Sequence, residues 1–460
     1  MLDHLTGRAG AKSVPITPVT AAGLKRWLKT QRAATRKWVE GVRFAAKPGQ
    51  HTLIPGADGA PGRVLLGVDD APDIWSYGGL PKALPRGTYR LDAPLEGEAA
   101  SRAALGWALG GYAFARYKTQ PEPAKLVWPV GADRAAVERA AAAVFLVRDL
   151  INTPAGDMGP AELAAAAEAV AQAHGAKVKV IVGDDLLKAN YPMVHAVGRA
   201  SVRAPRLIDL RWGTAGPLIA LVGKGVCFDS GGLDLKSASN MLLMKKDMGG
   251  AAHILALAQM IMAAALPLRL RVLVPAVENS VAGNAYHPLD VIRTRKGLTV
   301  EIGNTDAEGR LILCDALAEA AGEKPDLIVD CATLTGAARV ALGPELPALF
   351  CNDDATAEAL LRHGRAQDDA FWRLPLHKPY RRMLDSKVAD LNNVSESSFA
   401  GSITAALFLN EFVEPEIPWI HLDMMAWNAT ARPGRPEGGE AQGLRALYAL
   451  IAEKATAGSA

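Results

Sequence analysis

Two short runs hold the side chains with which this sequence could do chemistry. The first, VGKGVCFDSGGLDLKSASNMLLMKKDMGG (222–250), places Lys224, Asp229, Lys236 and Asp247 among glycines. The second, NTDAEGRL (304–311), adds Asp306, Glu308 and Arg310. Carboxyl groups gathered at one point cannot all stay ionised without a counter-charge. Hard divalent cations are the usual counter-charge, because carboxylate oxygens suit them. Asp306 and Glu308 are two apart, so in an extended segment they point the same way and reach a shared pair of ions. Two ions about 3.5 Å apart hold a bridging hydroxide and polarise a carbonyl, which is metal-assisted hydrolysis. A purely structural ion-pair network is the other reading of the same residues.

Competing motifs fail on residue type. Gly223-Lys224 is not a P-loop, because Leu218 stands where the first glycine belongs and Gly225 where Ser or Thr is needed. The histidines form no H-E-x-x-H, which argues against a histidine-ligated zinc. No G-x-S-x-G is present, and Ser230 has no base near it in sequence. Cys227, at the end of an apolar run, reads as packing rather than as a nucleophile.

The elements that must position these groups alternate in type. Strands are expected at 177–182, 207–211, 218–222, 270–274 and 327–331, and helices at 133–151, 160–174, 248–265, 311–321 and 403–412. Leu218–Val222 is apolar throughout, as in a strand buried on both faces. Such alternation gives an α/β fold with a mainly parallel central sheet. Sites in such sheets form at the carboxyl ends of strands, and Lys224 and Asp229 directly follow one.

At 460 residues the chain is too long for one ordinary core. The division expected is a smaller N-terminal α/β domain over 1–130, a linker helix and turn over 131–155, and a larger catalytic domain over 156–460. The N-terminal part has a strand at 64–68 and a helix at 99–115 but no titratable cluster. It reads as a structural or assembly domain. Only the final Ala, Gly and Ser residues have the composition of a frayed end.

Lys and Arg total 51 against 48 Asp and Glu, a balance too even to imply nucleic acid or an acidic membrane. Arg32, Arg36, Lys37 and Arg43 form a modest basic group that reads as a solvated helix face. Cys227, Cys314, Cys331 and Cys351 form no C-x-x-C and read as free thiols of a reducing compartment. No stretch approaches the ~20 apolar residues of a membrane span. The N-terminus has no apolar core of a signal peptide. The location expected is the cytoplasm.

Taken together, VGKGVCFDSGGLDLK (222–236), MKKDMGGAA (244–252) and above all NTDAEGRL (304–311) resemble the leucyl aminopeptidase, or cytosol aminopeptidase, family, peptidase family M17. NTPAGDMGP (152–160), DCATLTGA (330–337), FAGSITAALFL (399–409) and WIHLD (419–423) extend the resemblance over about 145–450. Two features depart from the family pattern. Gly156-Asp157 replaces the commoner Asn-Glu, and the compact ARPGRPEGGEAQGLRAL (431–447) stands in place of a longer Gly-rich stretch.

The resemblance implies a homohexameric enzyme that removes the N-terminal residue, leucine or another apolar one, from peptides. It implies two divalent ions per subunit, Zn or Mn, with Mg or Co as alternatives. One ion is held by Asp229, Asp306, Glu308 and the Asp306 carbonyl, the other by Lys224, Asp229, Asp247 and Glu308. The attacking group is a metal-bridged hydroxide. The substrate amine binds the second ion. Lys236 stabilises the oxyanion, and Arg310 holds a bicarbonate acting as base. Met244, Asn304, Thr333, Leu334 and Gly336 match positions around the substrate. A DNA-binding accessory role and a Cys-Gly dipeptidase role are the alternatives in this family.

Overall fold

The computed structural model describes residues 3–7, 13–92, 95 and 97–457. The terminal residues read as frayed lie outside these. The chain forms two compact units, one reaching Phe145 and including Asn428–Glu437, the other comprising Leu146–Trp427 and the chain from Gly438 on.

The first unit is built on a six-stranded sheet in the order Leu5–Thr6, Lys125–Val127, Thr88–Leu91, Val14–Val19, Pro61–Gly67, His51–Pro55. Its strands pair in parallel except at the His51–Pro55 edge. Helix Gly97–Gly111 is buried along most of its length, as its Ala- and Leu-rich sequence requires. In the basic group, Arg36 donates to the Gln31 carbonyl, while Arg32, Lys37 and Arg43 are exposed.

The second unit holds a nine-stranded sheet in the order Trp372–Arg373, Ala348–Cys351, Trp419–Asp423, Leu327–Ala332, Leu218–Gly223, Arg269–Asn279, Arg206–Trp212, Lys177–Val182, with Gly225–Asp229 also paired to Arg269–Asn279. The central strands run parallel. Antiparallel pairs appear toward both edges, so the sheet is mainly parallel, as the alternation of elements predicts. Leu218–Gly223, Leu327–Ala332 and Trp419–Asp423 are buried at every residue. Strands buried on both faces need cover on both. One set of helices groups Gly249–Ala263 with Pro160–His174 and Leu444–Ala457, another groups Glu308–Ala321 with Pro192–Gly198 and Gly401–Asn410. Among the described residues no helix is long and apolar enough to cross a membrane.

Two local expectations are corrected. The run after Lys224 is not a loop: Gly225–Asp229 is a strand. It continues the register of Leu218–Gly223 along the same neighbour, Arg269–Asn279, so Lys224 sits inside one interrupted line of strand. Asp306 and Glu308 do not share an extended segment either. Asp306 lies in a turn, and Glu308 opens the helix Glu308–Ala321.

The sheet buries one charged pair away from solvent. Asp330 and His421 are direct partners on neighbouring strands. Asp330 accepts from Trp419 Nε1 at 2.7 Å and bonds His421 Nδ1 at 2.6 Å. Both members of the pair are fully buried. Burial pulls the imidazole pKa down, but Asp330 outweighs it and holds His421 above its ordinary value. A base raised in the folded state adds stability that is full below its unfolded pKa and fades as pH rises through its folded one. Asp330→Asn is therefore expected to lower the thermal midpoint, and the gap to wild type should narrow as pH rises above the ordinary histidine value of about 6.5. A gap of constant size across that range would contradict the ion pair.

Candidate metal centre and cavity

The register of one strand brings the first two groups together. Residues five apart on an unbroken strand fall on opposite faces. A register shift between Val226 and Phe228 adds the residue that returns Asp229 to the side of Lys224. Gly231 follows in the left-handed region at φ +90°, where a Cβ would lie 2.4 Å from the Asp234 carbonyl. This turn leads the chain to Lys236. Asp247 sits in the short helix Met244–Met248, ahead of the buried helix Gly249–Ala263.

Around these residues the structure closes a charged cluster. Lys224 Nζ lies 2.7 Å from Asp247 Oδ2, 2.8 Å from Glu308 Oε1 and 3.0 Å from the Thr333 carbonyl to which it donates. Its stem leaves no room for a larger residue at Gly309, where a Cβ would come within 2.6 Å of Lys224 Cε. Lys236 Nζ lies 2.9 Å from Asp229 Oδ2 and also contacts Asp306 Oδ1. One oxygen from each of Asp229, Asp306 and Glu308 falls within 4.8 Å of the other two.

Electrostatics follow from this crowding. Burial, reinforced by Asp247, pushes the Asp229 carboxyl up to about 6. Burial and Asp229 push Glu308 well above the carboxylate range. Burial opposes the Asp247 carboxylate too, but Lys224 and Lys246 outweigh it and hold its pKa below the usual value. Lys224 is pulled down by burial and more than restored by Asp247, Glu308 and Asp229, so without a metal it keeps its proton. Burial lowers Lys246 to about 8 and Arg310 to about 10.

The donor set fits hard cations. Asp247 Oδ2, Asp306 Oδ1 and Glu308 Oε1 are buried and accept no hydrogen bond, although each faces a lysine amine. Oxygens in that condition are the ligands a divalent ion takes.

The cluster opens on a cavity of about 540 Å³, lined by Lys224, Asp229, Lys236, Asp247, Asp306 and Arg310. Met244, Thr333, Leu334 and Gly336 line the same cavity. Glu308 lies behind Lys224 and is not among the lining residues. Asn304 does not line the cavity. Its Oδ1 accepts from the Asp306 amide at 2.7 Å, which shapes the turn. Met424 and Met425 reach the cavity, whereas Asn428–Glu437 belongs to the first unit. The cysteines are free and buried, and burial pushes the Cys227 thiol well above its usual value, which suits packing.

Several residues that hold this arrangement were not singled out in the sequence. Asn279 Nδ2 donates to Asp229 Oδ1 at 2.9 Å and to the Thr305 carbonyl at 3.1 Å. Tyr286 donates to the same carbonyl. Asn393 accepts from the Gly303 amide at 2.7 Å through Oδ1, and its carbonyl accepts from Arg310 Nη1 at 2.6 Å. Thr333, which the resemblance placed only around the substrate, also donates to Asp247 Oδ1 at 2.7 Å. Asp423 accepts from the Leu334 and Thr335 amides and from the Thr335 hydroxyl. Each comes from a strand or loop remote in sequence, so no local spacing announces it.

Comparison with known proteins matches both units. Residues 145–448 match the model of the cytosol aminopeptidase family, catalytic domain. Residues 14–129, whose motifs carry no resemblance of their own, match the M17 aminopeptidase N-terminal domain. A probable cytosol aminopeptidase of Xanthobacter autotrophicus is 36% identical, across 94% of this chain and 93% of its own length. The crystal structure of a cytosol aminopeptidase from Coxiella burnetii is similar with a TM-score of 0.94 at 52% identity, covering 98% of this chain and 99% of that one. The bottromycin maturation enzyme BotP, solved in complex with Mn, has a TM-score of 0.87 at 35% identity, covering 97% of this chain and 100% of its own.

Asn279 offers a test of the cluster without touching a carboxylate. Groups that orient metal-binding side chains typically contribute about 10–100-fold to affinity. Asn279→Ala is expected to weaken binding of Mn or Zn by about tenfold or more in a chelator-competition titration. Unchanged affinity would show that Asp229 needs no such support.

Proposed function

The chain belongs to the cytosol aminopeptidase family of metal-dependent peptidases, and on that premise we propose that it is a two-metal aminopeptidase releasing leucine and other apolar residues from the N-terminus of peptides. The observation that supports this reading is the meeting of Asp229, Asp306 and Glu308 oxygens within 4.8 Å, beside a cavity lined by Lys224, Lys236 and Arg310.

Asp229, Asp306, Glu308 and the Asp306 carbonyl would hold one divalent ion. Lys224, Asp229, Asp247 and Glu308 would hold the other, so that Asp229 and Glu308 belong to both sets. Zn or Mn is the natural occupant of each, with Mg or Co as alternatives. Bound there, the ions supply Lewis-acid polarisation of the scissile carbonyl and an acidified attacking water. Asp247 and Glu308 hold a proton on Lys224, and an ammonium has no lone pair, so Lys224 would have to release that proton to solvent to serve as a ligand.

The remaining roles belong to the chain's own groups. Lys236 stands against Asp229 and Asp306, where its ammonium donates to the oxyanion that develops on the substrate carbonyl. Arg310 is anchored through Nη1 to the Asn393 carbonyl, while its buried Nε makes no hydrogen bond. That leaves guanidinium edges for a planar anion, and bicarbonate acting as the base suits the bidentate geometry. Met244, Thr333, Leu334 and Gly336 surround the first side chain of the substrate. Asn304 acts by shaping the turn that carries Asp306. The family resemblance further supports a homohexamer and a cytoplasmic location.

A free α-amine is part of what the second metal site recognises. Leu-amide should therefore be hydrolysed and acetyl-Leu-amide left intact by the metal-loaded enzyme. Equal rates on the two would refute the reading. The hexamer is tested by light scattering, where a mass near that of the 48.4 kDa monomer would overturn it.

A further inference from the structure

The loop that carries Lys236 is held by hydrogen bonds rather than by apolar burial. It joins the strand Gly225–Asp229 to the short helix Ala238–Met241, and its leucines, Leu233 and Leu235, are both exposed. The Lys236 amide closes the loop on the Ser230 carbonyl at 2.9 Å. A second tie runs to Thr305, the residue before Asp306.

Thr305 is fully buried, and each of its polar groups is used. Its carbonyl accepts from Asn279 and Tyr286. Its hydroxyl donates to the Gly231 carbonyl at 2.6 Å and accepts from the Asp234 amide at 2.9 Å. Its own amide donates to Asp234 Oδ2 at 2.7 Å. Asp234 and Thr305 therefore clasp each other reciprocally, side chain to backbone in both directions. The loop lies so close that a Cβ on Gly232, at φ +68°, would come within 3.0 Å of the Thr305 hydroxyl oxygen. Asp234 itself is exposed and does not line the cavity.

Lys236 needs a tie of this kind. Its ammonium contacts Asp229 and Asp306, and the aminopeptidase reading gives both carboxylates to the metals. A carboxylate engaged by a divalent cation holds an ammonium less strongly, because the cation is the larger local charge. Ion pairs alone therefore do not fix Lys236 in the loaded site.

We propose that Asp234 is a positioning residue for the hydrolytic step: by clasping Thr305 it fixes the loop that presents Lys236 to the oxyanion. The proposal rests on the aminopeptidase reading and adds to it a residue that touches neither substrate nor metal. Placement matters because a misplacement of about 1 Å costs up to about a hundredfold in rate. The loss falls on the transition state, where the negative charge develops, and spares the bound substrate.

The test compares Asp234→Ala and Asp234→Asn with wild type, all manganese-loaded, on Leu-amide. Asp234→Ala removes the acceptor of the Thr305 amide and should lower kcat by about tenfold or more with KM within about twofold. Asp234→Asn keeps an oxygen for that amide and should recover most of the rate. Two readouts do not depend on turnover. Manganese affinity of Asp234→Ala, from chelator competition, should stay within about threefold of wild type, below the effect of losing a group that orients a ligand. The α-aminophosphonate analogue of leucine, whose tetrahedral oxygens imitate the oxyanion, should bind Asp234→Ala more weakly by about the factor that kcat falls. Thr305→Val removes the other half of the clasp at nearly constant shape. It should show the same split, and it decides the question if Asp234→Ala does not fold. An unchanged kcat, an effect on KM alone, a rate loss that follows lost manganese, or Asp234→Asn as slow as Asp234→Ala overturns the proposal and leaves the aminopeptidase reading standing. A wild-type protein inactive on Leu-amide refutes that reading, and this inference with it.

Discussion

Confinement of charge is the constraint on which this structure depends. Asp229, Asp247 and Glu308 are buried to within a few per cent, and Lys224 is buried among them. No isolated carboxylate tolerates such a place, and burial drives Asp229 and Glu308 toward their protonated forms. The lysines oppose that drift, and divalent cations oppose it far more strongly. Burying acids this deeply destabilises the fold locally, which is the expected signature of a site rather than of a structural network. A metal-dependent hydrolase needs such a place, because a low-dielectric, preorganised surrounding strengthens every charge that develops on the substrate.

The sheet supplies the rigidity that this confinement requires. Lys224 is fixed on both sides, with its amide donating to the Cys331 carbonyl and its own carbonyl accepting from Ala251. The helix Gly249–Ala263 can approach so closely because Gly250 has no Cβ; one would lie 2.0 Å from the Cys331 carbonyl. Behind the site, Asp330 binds both Trp419 Nε1 and His421 Nδ1 in the middle of the sheet. In front of it, Asp423 on the strand Trp419–Asp423 ties down the Leu334–Thr335 loop. That loop begins at Thr333, whose hydroxyl and carbonyl hold Asp247 and Lys224. Position thus passes from the buried strands to the cluster through short hydrogen bonds, with few freely rotating groups between.

The cavity divides its labour by charge. Carboxylates gather on one side, where Lys224 and Lys236 are already engaged. Lys246 and Arg339 line the same cavity and form no ion pair among the described residues.

Much of this was legible in the sequence, for a physical reason. Apolar runs such as Leu218–Val222 mark strands buried on both faces, and their alternation with helices fixed an α/β fold with a mainly parallel sheet. The acids and lysines of 222–250 and 304–311 are rare enough in glycine-rich turns to mark the site, whatever their exact conformation. What the sequence left open were the parities and the partners. Period two placed Asp306 and Glu308 together for the wrong reason, since the chain turns there and Glu308 opens a helix. The spacing of Lys224 and Asp229 puts them on opposite faces of a regular strand, and only the bulge near Cys227 reunites them. Asn279, Asn393 and Asp423 carry no local signal at all, because they meet the cluster across long stretches of chain. Local periodicity determined the elements and residue chemistry determined the site. Which groups end up paired, and that Lys246 does not, was decided by packing between segments distant in sequence, because a hydrogen bond is satisfied by position in space and not along the chain.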